Sequence, residues 1–97
     1  MRSVIYSVRS GKAVVSFLKR NGFPNAKLIG SLGRGIPSNH DIDILLPKHK
    51  RSILLCNRLM ELLDSNEYEY TDWGGIFIKN THFGDIDVFF TIKDFDY

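Results

Sequence analysis

The 97-residue chain writes one acid pair twice, "HDIDILLP" at residues 40–47 and "GDIDVFF" at residues 84–90. Each sets two aspartates in an apolar frame, Asp41 and Asp43 around Ile42, then Asp85 and Asp87 around Ile86. Side chains alternate along a strand, so each pair projects from one face and its isoleucines from the other. If the two strands pair, carboxylates from both converge on one patch. Two unit charges about 4 Å apart repel by roughly 4 kcal/mol at an effective dielectric near 20, so three or four such groups cannot all stay ionised without a counter-charge. Hard, anionic, oxygen-only ligands call for Mg²⁺ or Mn²⁺ rather than zinc. An EF-hand calcium loop fits worse, because neither pair runs on into the further acids, glycine and distal Glu of that loop. An Asp-x-Asp on a solvated strand is also common without any metal, so the acids need a second signal.

The loop upstream supplies it. In "GSLGRGIPSNH" (residues 30–40), Gly30 and Ser31 offer backbone N–H groups and a hydroxyl where a phosphate can sit, and Arg34 adds a planar charged fork. A phosphate cradle, a basic residue and metal-binding carboxylates are the parts that phosphoryl or nucleotidyl transfer needs.

The elements that must hold these residues are legible from patterning. Ser10, then "GKAVVSFLKRNGFP", reads as a capped helix over residues 11–21, ended by Gly22 and Pro24. "AKLIGSL" (residues 26–32) and "DIDILL" (residues 41–46) read as short strands, joined by a glycine-rich loop with room for one turn of helix. After Pro47, "KHKRSILLCNRLMELLDSN" has helical spacing at Ile53, Cys56, Met60 and Leu63. "YEYTDWGGIFIKN" alternates on both sides of Trp73–Gly75 and reads as a β-hairpin, and "HFGDIDVFFTI" is the last strand. The expectation is an α+β fold: a small mixed sheet of about five strands, with two main helices packed on one face.

The totals bound the rest. At this length residues 1–97 are expected to form a single domain with one modest core. An apolar fraction of 43%, with no apolar run near the ~18 residues needed to span a bilayer, predicts a soluble chain without a membrane partner. The basic, polar and apolar mixture of residues 1–12 does not resemble a signal peptide, so the cytoplasm is the expected compartment. Cys56, the one cysteine, has no CxxC or Cys/His neighbourhood and reads as a buried apolar residue. The net charge of +2 permits a polyanionic partner without requiring one, and the cluster at residues 48–51 reads as a solvated helix start.

Taken together, "GSLGRGIPSNHDIDILL" resembles the Gly-Ser, spacer, Asp-x-Asp motif of the DNA polymerase beta-like nucleotidyltransferase superfamily, and "GDIDVFFTIKDFDY" is similar to the later strand that brings its third acid. The spacing from Gly30 to Asp41 is closest to that of family X DNA polymerases, whose palm the chain resembles over nearly its whole length; minimal nucleotidyltransferases, the antitoxin-like ones included, commonly have a spacer one residue longer. The resemblance implies that Asp41 and Asp43 ligate both catalytic metals, Mg²⁺ or Mn²⁺. Asp87 would hold the catalytic metal and help to activate the attacking hydroxyl, while Gly30, Ser31 and Arg34 would bind the triphosphate of an NTP such as ATP. Asp85 departs from the pattern, because polymerase-like relatives tend to carry a basic residue two before the third acid. His40 departs too, standing where a small residue is common, and either touches phosphate or plays a capping role.

The residues leave other readings open. Tyr68, Tyr70 and Trp73 could stack on a base or pack the sheet, and Lys79 could reach a phosphate or stay solvated. With about ten residues after Asp87, the expectation is a palm without a thumb or a C-terminal helical domain. The expectation is therefore a minimal metal-dependent nucleotidyltransferase moving a nucleoside monophosphate to an acceptor hydroxyl, its pocket completed by a second copy or a helical partner. The alternatives are a non-catalytic nucleotide- or partner-binding palm, antitoxin-like, and the catalytic palm of a family X-like DNA polymerase. The acceptor, whether protein, nucleic acid or small molecule, is not written in the sequence.

Overall fold

In the computed structural model, which describes residues 5–38, 41–72 and 74–90, the elements are α1 (Val8–Arg20), β1 (Lys27–Leu28), α2 (Gly30–Gly33), β2 (Ile42–Leu45), α3 (Ile53–Leu62), β3 (Glu67–Tyr70), β4 (Ile76–Thr81) and β5 (Gly84–Phe89). Both long helices begin where a serine satisfies an otherwise unpaired first-turn N–H. The Ser7 hydroxyl accepts from the Ser10 N–H at 3.1 Å, so α1 starts at Val8, earlier than the expected Gly11. Lys19 and Arg20 close its last turn, where the helix dipole favours cations. The Ser52 hydroxyl accepts from the Leu55 N–H at 3.1 Å and starts α3 at Ile53. Lys48, Lys50 and Arg51 therefore precede the helix instead of opening it.

The five strands form one mixed sheet in the order β1-β2-β5-β4-β3. The β2–β5 pair is parallel and the other three pairs are antiparallel. Both helices cover one face, as the patterning predicts: Val14 and Leu18 of α1, with Cys56 and Leu59 of α3, pack on Ile42, Ile44, Ile76, Ile78, Ile86 and Val88. Each of these side chains is almost wholly buried, worth about 1.5–3 kcal/mol apiece for the larger aliphatics. That face is the core, and its strand residues are the partners that alternate with the aspartates. On the opposite face Ile29, Leu45 and Phe89 form a small buried cluster beyond the acids.

The first strand is shorter than expected. The apolar run at residues 26–32 contributes only Lys27 and Leu28 to the ladder, because Gly30 takes φ +68° and turns the chain into α2. This is the single turn of helix that the glycine-rich loop predicts. The approach to β2 is fastened from the N-terminal side: Tyr6 and Ser38 exchange backbone hydrogen bonds, Tyr6 N–H to Ser38 O at 2.6 Å and Ser38 N–H to Tyr6 O at 3.0 Å. The β3–β4 hairpin is closed by Thr71, whose Oγ1 accepts from the Gly75 N–H at 2.9 Å, and Trp73 lies outside the described residues. Among the described residues no helix is long and apolar enough to cross a membrane.

Candidate metal centre

Asp43 and Asp87 are register partners on the parallel strands β2 and β5. Ile42 and Ile44 on one strand, Ile86 and Val88 on the other, are drawn into the core, so alternation turns both aspartates to the uncovered face. Asp41 stands one residue before β2, and one of its carboxylate oxygens joins those of Asp43 and Asp87 within 4.8 Å of one another. The three acids expected to share a metal are thus brought together. Asp87 is the least accessible of them at 7% exposed, and its Oδ1 is fully buried with no hydrogen-bond partner among the described residues.

The electrostatics follow from that crowding. Burial pushes the Asp43 carboxyl up to about 8, helped by the charges of Asp41 and Asp87 and by a hydrogen bond with the Asp41 side chain. Burial and then the Asp41 charge push Asp87 up to about 7. A cluster of this kind needs protons or a cation to neutralise it. Three hard oxygen donors, with one carboxylate oxygen of Asp87 buried and unpartnered among the described residues, suit Mg²⁺ or Mn²⁺, so the residues fit the group that the sequence implies.

Gly30 closes the cluster on its β1 side. Its φ of +68° is a left-handed conformation, and a Cβ there would fall 3.1 Å from Asp43 Cγ and closer still to Oδ2. Only glycine lets the turn approach the carboxylate this closely. The same backbone is held to β2 by the Ile29 N–H donating to Asp43 O at 3.0 Å. Ser31 is half-buried in the first turn of α2, and Arg34 is exposed at its C-cap. Of the expected phosphate-binding residues, Gly30 is the one placed against the acids, beside Asp43, while Asp41 and Asp87 line a cavity of about 340 Å³ over β3 and β4.

Asp85 has a different job from its twin. Its Oδ1 accepts from the Asn80 N–H at 2.9 Å, and its own N–H donates to the Tyr6 hydroxyl at 3.0 Å. Asn80 sits at φ +54° where the β4–β5 register shifts between Ile78 and Thr81, so the carboxylate satisfies a backbone donor that the irregular ladder leaves over. Asp85 is thus outside the three-acid cluster. Neither Asn80 nor Tyr6 stands out in the sequence. The one available signal was the short "NTHFGD" connection, which places a left-handed residue five before an acid.

The remaining candidates sort by face. Tyr68 packs against the core, with its ring 5.9 Å from that of Tyr70, so sheet packing prevails there. Arg51 stacks 4.2 Å over the Tyr70 ring and donates to Thr71 O at 3.0 Å and Gly75 O at 3.1 Å, which ties the hairpin turn to the start of α3. Lys79 is engaged by Glu69 at 3.0 Å, which raises the pKa of its amine. Cys56 is buried and its thiol is pushed up by that burial, the state of a packing residue. His40 lies outside the described residues. No protein-family model matches this chain, and neither a curated protein sequence nor a solved structure does.

Proposed function

We propose that the chain is a metal-dependent nucleotidyltransferase of the DNA polymerase beta-like kind, moving a nucleoside monophosphate from an NTP to an acceptor hydroxyl and releasing pyrophosphate. The observation that carries this reading is the meeting of Asp41, Asp43 and Asp87 oxygens within 4.8 Å, hard against the turn at Gly30. The three carboxylates would hold Mg²⁺ or Mn²⁺, which when bound neutralises phosphate charge and aligns the reacting oxygens. On the β1 side, the first-turn N–H groups of α2 and the Ser31 hydroxyl receive the leaving phosphates, with the Arg34 guanidinium as counter-charge. Asp87 faces the cavity from which the acceptor arrives and takes the proton of its hydroxyl. The reading places this activity in the cytoplasm, with a second copy or a helical partner covering the nucleotide base.

Transfer of label from α-labelled NTP tests it. Transfer should require Mg²⁺ or Mn²⁺ and disappear in Asp87→Asn; transfer that survives at the parental rate in that variant overturns the reading. Two other outcomes identify the alternatives. NTP and Mn²⁺ binding with no transfer to protein, RNA, DNA or small alcohols marks a non-catalytic binding module, and template-directed primer extension marks the palm of a polymerase.

A further inference from the structure

The charges of this chain are sorted along it. Residues 1–40 hold seven lysines and arginines and no acid, while residues 61–72 hold five acids and no lysine or arginine. The sheet order puts β1, with α1 and α2 packed beside it, on one edge and β3 on the other. Four strand spacings separate the two edges, about 19 Å, which exceeds the ~8–10 Å over which exposed charges act through salt. Neither edge therefore neutralises the other within one molecule.

Each edge also carries uncovered apolar surface. On the basic side a cavity of about 430 Å³ opens between α1 and α2, walled by Val8, Val15, Leu28 and Leu32, with Lys12 in its lining. Lys27 and Arg34 adjoin lining residues, and all three cations are exposed without an ion-pair partner among the described residues. On the acidic side Glu67, Glu69 and Asp72 are exposed, and Lys79 pairs with Glu69 alone. Tyr70 lies among them, 47% exposed. The Thr71 N–H donates to Gly75 O at 3.1 Å, and bonding alternates along an antiparallel ladder, so the backbone groups of Tyr68 and Tyr70 point outward from the last strand of the sheet. Pairing β3 with its own copy about a two-fold axis would set glutamate against glutamate in the registers that align most of the strand, because Glu67 and Glu69 share one face. The acidic edge finds its complement on the basic edge instead.

We propose that the acidic β3 edge of one molecule docks on the basic groove between α1, β1 and α2 of a second copy, in a head-to-tail contact. Lys12 and Lys27 of one copy face Glu67 and Asp72 of the other, and Tyr70 covers part of the apolar groove. The two surfaces lie on opposite edges, so the contact does not close on itself and assemblies longer than two form as concentration rises. Glu69, Tyr70 and Asp72 also line the cavity beside Asp41 and Asp87, and a copy docked on this edge covers its rim. Docking of this kind involves no step of the reaction, so its failure leaves the function proposed above standing.

Sedimentation velocity on the metal-free full chain, from about 20 µM to about 1 mM protein, reads the association. The parent should form a concentration-dependent series that extends beyond the dimer, and raising salt from about 50 mM to about 500 mM should weaken it at least about fivefold. Lys12→Glu with Lys27→Glu, and separately Glu67→Lys with Asp72→Lys, should each stay monomeric throughout, since each leaves both edges with one sign. All four side chains are exposed, so both variants keep their fold, which circular dichroism checks. Equimolar mixing of the two variants should restore association, because acidic edges again meet basic ones. A monomeric parent, a reversal that leaves association unchanged, or a mixture that stays monomeric overturns the proposal. If the monomeric parent instead binds a single-stranded oligonucleotide or phosphatidylserine vesicles, and Lys12→Glu with Lys27→Glu loses that binding, the groove belongs to a polyanion or a membrane and self-docking is overturned.

Discussion

Asp43 and Asp87 face each other as register partners across a parallel strand pair, with the Asp41 carboxylate joining them from just outside the ladder. Three like charges held within 4.8 Å on a partly buried surface oppose folding unless something neutralises them. Removing one should therefore help stability and harm function. Asp87→Asn is expected to raise the melting temperature of the metal-free protein at pH 8 by several degrees, since about 1 kcal/mol moves a domain of this size by roughly 4–8 °C. On the proposed function, the same variant should lose nucleotidyl transfer by about a hundredfold or more. Calorimetry in EDTA and a labelled-transfer assay read the two effects on one sample.

The pH dependence follows with a definite sign. Folding raises the Asp43 pKa from an ordinary 3.8 to about 8 and the Asp87 pKa from 3.8 to about 7, so between these limits the folded state binds more protons than the unfolded one. Metal-free stability then falls as pH rises from about 4 to about 8, and levels off above that. Because water reaches part of the cluster and screens it, the loss is on the order of 1–3 kcal/mol rather than the full linkage value. Urea denaturation in EDTA at pH 5 and pH 8 measures it. Millimolar Mg²⁺ should abolish the difference by stabilising the protein at pH 8 and leaving it nearly unchanged at pH 5.

The turn at Gly30 offers a matched pair of substitutions. Gly30 (φ +68°) and Gly35 (φ +82°) both sit in the left-handed region, but a Cβ at Gly30 collides with the Asp43 carboxylate while one at Gly35 meets nothing within 4 Å. Gly35→Ala should cost about 1–2 kcal/mol from backbone strain alone. Gly30→Ala should cost that and displace Asp43 as well, so its Mn²⁺ affinity should drop by about tenfold or more while that of Gly35→Ala stays within about twofold. Isothermal titration with Mn²⁺ separates the two.

How far the sequence carries the reader depends on what kind of interaction decides each feature. The period-2 alternation around Ile42 and Ile86 was enough to put both aspartate pairs on one face, because isoleucine burial is a strong, local and one-directional preference. Helix starts were less legible. Ser7 and Ser10 are equally good capping residues, and the pairing of Tyr6 with Ser38 holds the chain extended up to Ser7, which takes the cap. At the second helix, a basic cluster resembles a first turn until Arg51 is seen reaching across to the hairpin carbonyls, a contact twenty and twenty-four residues distant in sequence. The cavity is only partly legible: the hairpin that sets Glu69 opposite Phe77 can be read locally, whereas Phe77 opposite Asp87 depends on the register of β5 on β4, which shifts between Ile78 and Thr81.

The two Asp-Ile-Asp stretches look alike, and their first acids part company on a single hydrogen bond. Asp85 spends its Oδ1 on the Asn80 N–H at the irregular end of β4, where Asn80 holds φ +54°. Losing an acceptor there strands a backbone donor, so Asp85→Ala should cost about 1–2 kcal/mol, while Asp85→Asn keeps an acceptor oxygen and should cost only a few tenths. Neither should change nucleotidyl transfer by more than about threefold at a temperature where both are folded. This is the reverse of Asp87→Asn, in which stability rises and transfer is lost. Urea midpoints and initial rates measured on the same preparations give the comparison. If Asp85→Ala lost transfer while its urea midpoint stayed at the parental value, Asp85 would belong with the metal ligands and its bond to Asn80 would be incidental to its role.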